Sequence, residues 1–123
     1  MTKNLISSAS LEQDNLIAGG IMPIVTDIVT LKSGAAYLRG SVLAVITATS
    51  LAVKVDSTKS DGSQVAYAIL AEDTDATSVN TPAVVYMTGE FNAAKLIFGG
   101  TDTITIHKKA LRALSLFAKT LQG

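Results

Sequence analysis

Residues 68–92 read AILAEDTDATSVNTPAVVYMTGEFN, with three carboxylates, Glu72, Asp73 and Asp75, between two apolar runs. A metal site would need those donors at alternating or helical spacing, backed by others. No His or Cys adjoins them, and the pattern lacks the regular spacing and closing glutamate of a hard-cation loop. Asp and Asn favour bends because their side chains hydrogen-bond nearby backbone. Thr81-Pro82 then restarts an extended segment, since a residue preceding proline avoids helix. The stretch therefore reads as strand, solvated acidic bend, strand.

Working outward, the same texture recurs. PIVTDIVTL (residues 23–31), SVLAVITA (41–48), AVKVD (52–56), VAYAILAED (65–73), PAVVYMTGEF (82–91) and AAKLIF (93–98) are rich in residues that fit a pleated surface. Between them lie turn signals, among them KSGAAYLRG (32–40) and STKSDGSQ (57–64) with its Asp61-Gly62 pair. Their recurrence predicts a mainly β fold, a small barrel or clip of short strands. At the end, HKKALRALSLFAKTLQG (107–123) changes period. Lys108, Arg112, Ser115 and Lys119 share one helical face, and Leu111, Leu114, Ala118 and Leu121 share an adjoining apolar one. One C-terminal amphipathic helix is expected, capped by Thr103 or Thr105, with an early start near Asp102 keeping Lys108-Lys109 away from the positive end of the dipole. Residues 1–20 differ again: polar and small, with apolar Leu5-Ile6, Leu11 and Leu16-Ile17, closed by Gly19-Gly20. So little apolar surface does not offset its ordering entropy, so this segment reads as a flexible arm ahead of a single β-rich domain over residues 21–123.

Composition narrows the function. A chain of 123 residues suits one domain that buries about two thirds of its unfolded surface. Ten basic and ten acidic residues cancel, and three Tyr and three Phe without Trp make a poor base-stacking platform, so no nucleic-acid or membrane partner is expected. Without cysteine there are no disulfides or thiolate metal sites, in keeping with synthesis in a reducing cytoplasm. No secretory signal or membrane span is read.

Nor does any catalytic, cofactor or metal site emerge. His107, the single histidine, sits beside two lysines at the head of the helix, a surface position on this reading, and no GxSxG elbow precedes it. Gly99-Gly100 lacks the lysine and spacing of a phosphate loop. The basic helix face reads as the wet side of a packed helix. A structural or binding role, not an enzyme, is the expectation.

The order of motifs adds a family resemblance. LIAGG, the Val/Ile/Thr run, SGAAYLRGSVLAVIT, DGSQVAYAILAEDTDA, AVVYMTGEFNAAKL and HKKALRALSLF together resemble the bacteriophage head decoration (capsid stabilisation) family over about residues 16–120. The resemblance implies a β-clip protomer forming a homotrimer on the outside of the virion. Such a trimer sits at local three-fold axes of the expanded head and clamps the major capsid protein against the pressure of packaged DNA. It also implies that the N-terminal arm orders on the shell by adding a strand to capsid β structure, without a small-molecule substrate. Carried onto this chain, the arm spans residues 4–20 with Leu5, Ile6, Leu11, Leu16 and Ile17 as anchors. Two surface turns, Tyr37, Leu38 and Arg39 and the Gly89-Glu90-Phe91 stretch, are candidates for subunit contact.

Two other classes remain open. A trimeric β-clip nucleotide hydrolase of dUTPase type would need a glycine-rich loop with Ser, Arg and Gln phosphate motifs. Here Asp61-Gly62 is isolated and only Arg39 and Arg112 are present. A phage surface sugar-binding module would use exposed Trp or Tyr platforms, whereas Tyr37, Tyr67 and Tyr86 lie in or beside strand runs.

Overall fold

The computed structural model describes residues 16–18 and 23–120. In chain order the elements are β1 (Val25–Leu31), β2 (Ala35–Tyr37), β3 (Val42–Val45), β4 (Ala52–Lys54), β5 (Ala68–Leu70), β6 (Thr74–Ala76), β7 (Thr81–Asn92), a 3-10 turn (Ala93–Lys95), helix α1 (Ile104–Ala113) and β8 (Leu116–Lys119). The architecture is mainly β with one helix near the C-terminus, as the sequence predicts.

Strands β1, β4, β3, β5 and β7 pair in that order, and β1 pairs again with β7, so five strands close into a small barrel with β8 attached to β7. The seam between β1 and β4 is thin, a single parallel register position at Leu31 and Ala52. Along β1 the antiparallel register with β7 runs from Val25 opposite Thr88 to Leu31 opposite Thr81. Strands β2 and β6 form a separate two-stranded sheet.

Alternating side chains put apolar residues on both faces of the central strands. Leu43, Ala68 and Leu70 point into one cluster with Leu31, Ala52, Ala83 and Val85, which draws on all five barrel strands. Their neighbours Val42, Ala44 and Ile69 point into a second cluster outside the barrel, with Tyr86, Phe91, Leu111, Leu116 and Leu16. Double burial explains why these strands read as nearly unbroken apolar runs. Three of the inward residues are alanines, consistent with the narrow interior of so small a barrel. Tyr37 joins this inner cluster from β2, its hydroxyl donating to the Lys32 carbonyl at 3.0 Å, and burial raises its pKa.

Strand β7 spans 12 residues and changes partners midway. Up to Thr88 it pairs with β1 and β5; from Gly89 to Asn92 it runs parallel to β8. Gly89 has φ +145°, and a Cβ there would lie 2.9 Å from Cζ of Phe91, so glycine alone fits where the strand exchanges neighbours.

Four elements depart from the sequence reading. Strands β2 and β6 lie in stretches read as a turn and as an acidic bend, and they pair with each other. AAKLIF is no strand: Asn92 caps a 3-10 turn, its Oδ1 accepting from Ala94 N–H at 3.1 Å, and Ile97 contributes a lone bridge to Ser41. The terminal helix stops at Ala113, because Ser115 takes φ +66° and redirects the chain into β8. Ala118, placed by period on the apolar face of a continuing helix, instead packs with Leu116 as alternate residues of a strand on the outer cluster. Thr103 occupies the N-cap position without a side-chain cap bond.

Candidate functional site

The acidic bend is tied to the backbone around it. Asp73 Oδ1 accepts from Arg39 N–H at 2.7 Å, linking the bend to the loop after β2. Asp75 lies in β6 and accepts from the Thr77 N–H and hydroxyl at 3.0 and 2.7 Å, bonds that hold its carboxyl below the usual carboxylate pKa. Glu72 contributes its carbonyl to the Thr74 hydroxyl. Among the described residues, no group of three or more His, Asp or Glu is placed to hold a metal ion.

His107 is buried, contrary to its assignment as a surface residue: it is 3% exposed and stacks on Phe98 with ring centroids 5.5 Å apart. Its Nε2–H donates to Asp102 Oδ2 at 2.6 Å, while Ser57 donates its hydroxyl to Oδ1 and its N–H to Oδ2 of the same carboxylate, each at 2.7 Å. The three residue types are those of a hydrolase, but their order is wrong. A nucleophile needs the histidine between hydroxyl and carboxylate, whereas here the carboxylate is central and accepts from both. What the cluster does is fasten the start of α1 to the loop after β4. The hydrogen bond from His107, then those from Ser57, hold the Asp102 carboxyl below its ordinary pKa.

The described residues of the amino-terminal arm, 16–18, are packed onto the body. Leu16 is 1% exposed, within the outer cluster, and Ile17 packs against that cluster. Asn92 N–H donates to the Leu16 carbonyl at 2.7 Å and Ala18 N–H donates to the Glu90 carbonyl at 2.8 Å, framing an antiparallel Ile17–Phe91 pair. Residues 16–18 thus form a short strand beside β7, on the edge opposite β8. Of the five arm anchors, Leu16 and Ile17 are engaged with their own protomer, whereas Leu5, Ile6 and Leu11 lie outside the described residues.

The subunit-contact residues separate in the same way. Gly89-Glu90-Phe91 is interior to β7 and not a surface turn: Phe91 is 0% exposed, its ring 5.5 Å from Tyr86. Glu90 is also buried, its carboxylate accepting from Lys119 Nζ at 2.7 Å. Tyr37 is buried in the barrel, and Arg39 donates through Nη1 to the Ala71 carbonyl at 2.6 Å and the Tyr86 hydroxyl at 2.7 Å. Leu38, in contrast, is 56% exposed. Exposed apolar residues missed in the sequence also lie at the start of β1, where Ile24 and Ile28 fall on one face and Val25 on the other. The Val/Ile/Thr composition announced a strand but not that its first four residues are exposed on both faces.

A family model matches nearly the whole chain. It is that of the bacteriophage lambda head decoration protein D, over residues 6–118. No individually curated protein matches significantly. The match extends from the N-terminal segment through the barrel, α1 and into β8, and on that breadth the chain belongs to the bacteriophage lambda head decoration protein D family.

Proposed function

We propose that this protein decorates the outer surface of an expanded phage head as a homotrimer, gripping the major capsid protein near local three-fold axes and stabilising the shell against internal DNA pressure. The observation that carries the reading is the family match over residues 6–118, which assigns a structural, capsid-decoration role in the virion. The folded body agrees with it: a small barrel to which residues 16–18 are strapped as an extra strand, with 15 residues preceding them.

In this mechanism residues 1–15 add a strand to capsid β structure, with Leu5, Ile6 and Leu11 seated in apolar sites. Burying three such side chains contributes about 2 kcal/mol each, while ordering the segment costs about 1–2 kcal/mol per residue. A single arm is therefore insufficient by side chains alone. New main-chain bonds at about 1 kcal/mol each, and three arms joined in one trimer so that later contacts proceed at an effective concentration near ~1 mM, make up the difference. Joining the arms also gives selectivity for the expanded head, because all three engage only when the capsid sites are correctly spaced. Exposed Leu38 and the exposed apolar residues Ile24, Val25 and Ile28 are the candidates for subunit contact. Synthesis takes place in the host cytoplasm, before assembly.

The test is co-sedimentation of the full chain with expanded and unexpanded heads of the parent phage, alongside its mass by analytical ultracentrifugation. A trimer that saturates expanded heads and leaves unexpanded ones bare is the expected result. A monomer that decorates at full occupancy contradicts the role given to trimerisation, and failure to bind either head contradicts decoration.

A further inference from the structure

Residues 16–18 are built as part of the body. Leu16 fills a socket in the outer cluster and lies beside Gly40, where an added Cβ would meet Leu16 Cδ1 at 3.5 Å, an ordinary contact, and the Lys95 carbonyl oxygen at 2.6 Å. The β7 segment that holds this strand is braced on its other edge by β8, whose register runs from Leu116 opposite Gly89 to Lys119 opposite Asn92. Lys119 also holds the Glu90 side chain, while the Glu90 carbonyl receives Ala18.

We infer that residues 16–18 are a mechanical anchor: the segment before them makes the contact with the shell, and this strand transmits the resulting tension into the barrel. The inference rests on the decoration reading above. Tension directed along the strand loads the bonds at Leu16 and Ala18 together in shear. Sliding must also drag Leu16 out of its socket. Strand side chains alternate with period 2, so a one-residue slip turns the wrong face inward and a two-residue slip brings Ala18 into the position of Leu16. Gly19 and Gly20 follow and cannot refill the space. Leu16 therefore acts as a stop on the strand, and the registered state resists slippage in the direction a shell-bound arm would pull.

The account separates attachment from reinforcement, and a pair of full-length variants tests it. Leu16→Ala empties the socket. Ala18→Pro removes the N–H that bonds Glu90 and leaves Leu16 in place, with extended Ile17 suited to precede proline. Leu16→Met, close in volume, is the control. Each is mixed with undecorated expanded heads, and both occupancy and the rupture temperature of the decorated heads are measured, with melting of the free protein confirming that the body is folded. Both disruptive variants are expected to occupy heads as the unaltered chain does but lose most of the rise in rupture temperature, whereas Leu16→Met keeps it. If Leu16→Ala fails to fold, Ala18→Pro carries the test. A folded variant that still protects heads fully overturns the anchor, as does one that loses occupancy and protection in parallel, because contact and transmission would then be one event. Failure of the unaltered chain to bind heads would instead bring down the decoration reading itself.

Discussion

The two apolar clusters on either side of the barrel wall share strands β3, β5 and β7 and differ in what else packs onto them. The inner one gathers neighbouring strands and includes Leu31, Leu43, Leu70 and Val85. The outer one joins sequence extremes, bringing Leu16 from the amino-terminal strand and Leu111 and Leu116 from the carboxy-terminal elements onto Phe91 in the second half of β7. The inner cluster makes the barrel; the outer one fastens the chain ends to it. Barrel closure and the fastening of the chain ends therefore lie on opposite faces of one wall, and β7 contributes to both.

The sharpest way to break that comparison is to truncate one side chain in each cluster. Phe91→Ala should cost about 3–5 kcal/mol and Leu43→Ala about 2–5 kcal/mol in denaturant unfolding. Amide exchange should tell them apart: Phe91→Ala exposes the Ala18 and Asn92 amides well before global unfolding, and Leu43→Ala does not. Equal protection of those amides in both variants would dissolve the distinction. Next in size is Gly40→Ala, where φ is +96° and the Lys95 carbonyl oxygen stands 2.6 Å from the new Cβ. It should destabilise the protein by more than about 1 kcal/mol in thermal unfolding, the reverse of the small gain expected where alanine fits.

Lys119→Met probes the brace. Glu90 keeps 8% of its side chain exposed but Lys119 keeps 48%, so solvent screening limits the loss to about 1 kcal/mol, and it should shrink with added salt. The smallest effect concerns pH. Asp102 has a depressed folded pKa, so its contribution is complete above the unfolded carboxyl value near ~3.9 and disappears as pH falls through the lower folded value. Asp102→Asn should flatten the acid side of a plot of melting temperature against pH. An unchanged acid limb would mean that the clamp to Ser57 and His107 carries no pH-linked stability.

Much of the barrel was legible in the sequence because its strands are short runs of β-branched and small apolar residues separated by turn chemistry. The acidic stretch was legible only in part: Glu72 and Asp73 lie in the connection after β5, but Asp75 sits in β6, a three-residue strand whose pairing with the distant β2 leaves no local signal. The carboxy-terminal error has a physical origin: Leu111, Leu114 and Ala118 satisfy a helical period, and a left-handed serine at 115 carries no sequence signal comparable to glycine. Likewise, lysines beside His107 disguised its burial: its partner Asp102 is only five positions away, but Ser57, which completes the cluster on that carboxylate, lies 45 positions from Asp102 and only the fold brings it in. Leu16 was grouped with Leu5, Ile6 and Leu11 on composition, yet its cavity is formed by residues near Gly40, Phe91 and Leu111, far along the chain. Local patterns disclosed the strands; long-range contacts decided where the arm meets the body.

The central claim, that the segment ahead of the anchored strand carries shell binding, is tested most directly by co-sedimentation with expanded heads, comparing the full chain with one beginning at Leu16. Saturable binding by the full chain and its loss in the shortened one, with the same unfolding transition for both, is the predicted result. Equal binding by both chains would contradict the claim and move the capsid contact onto the barrel.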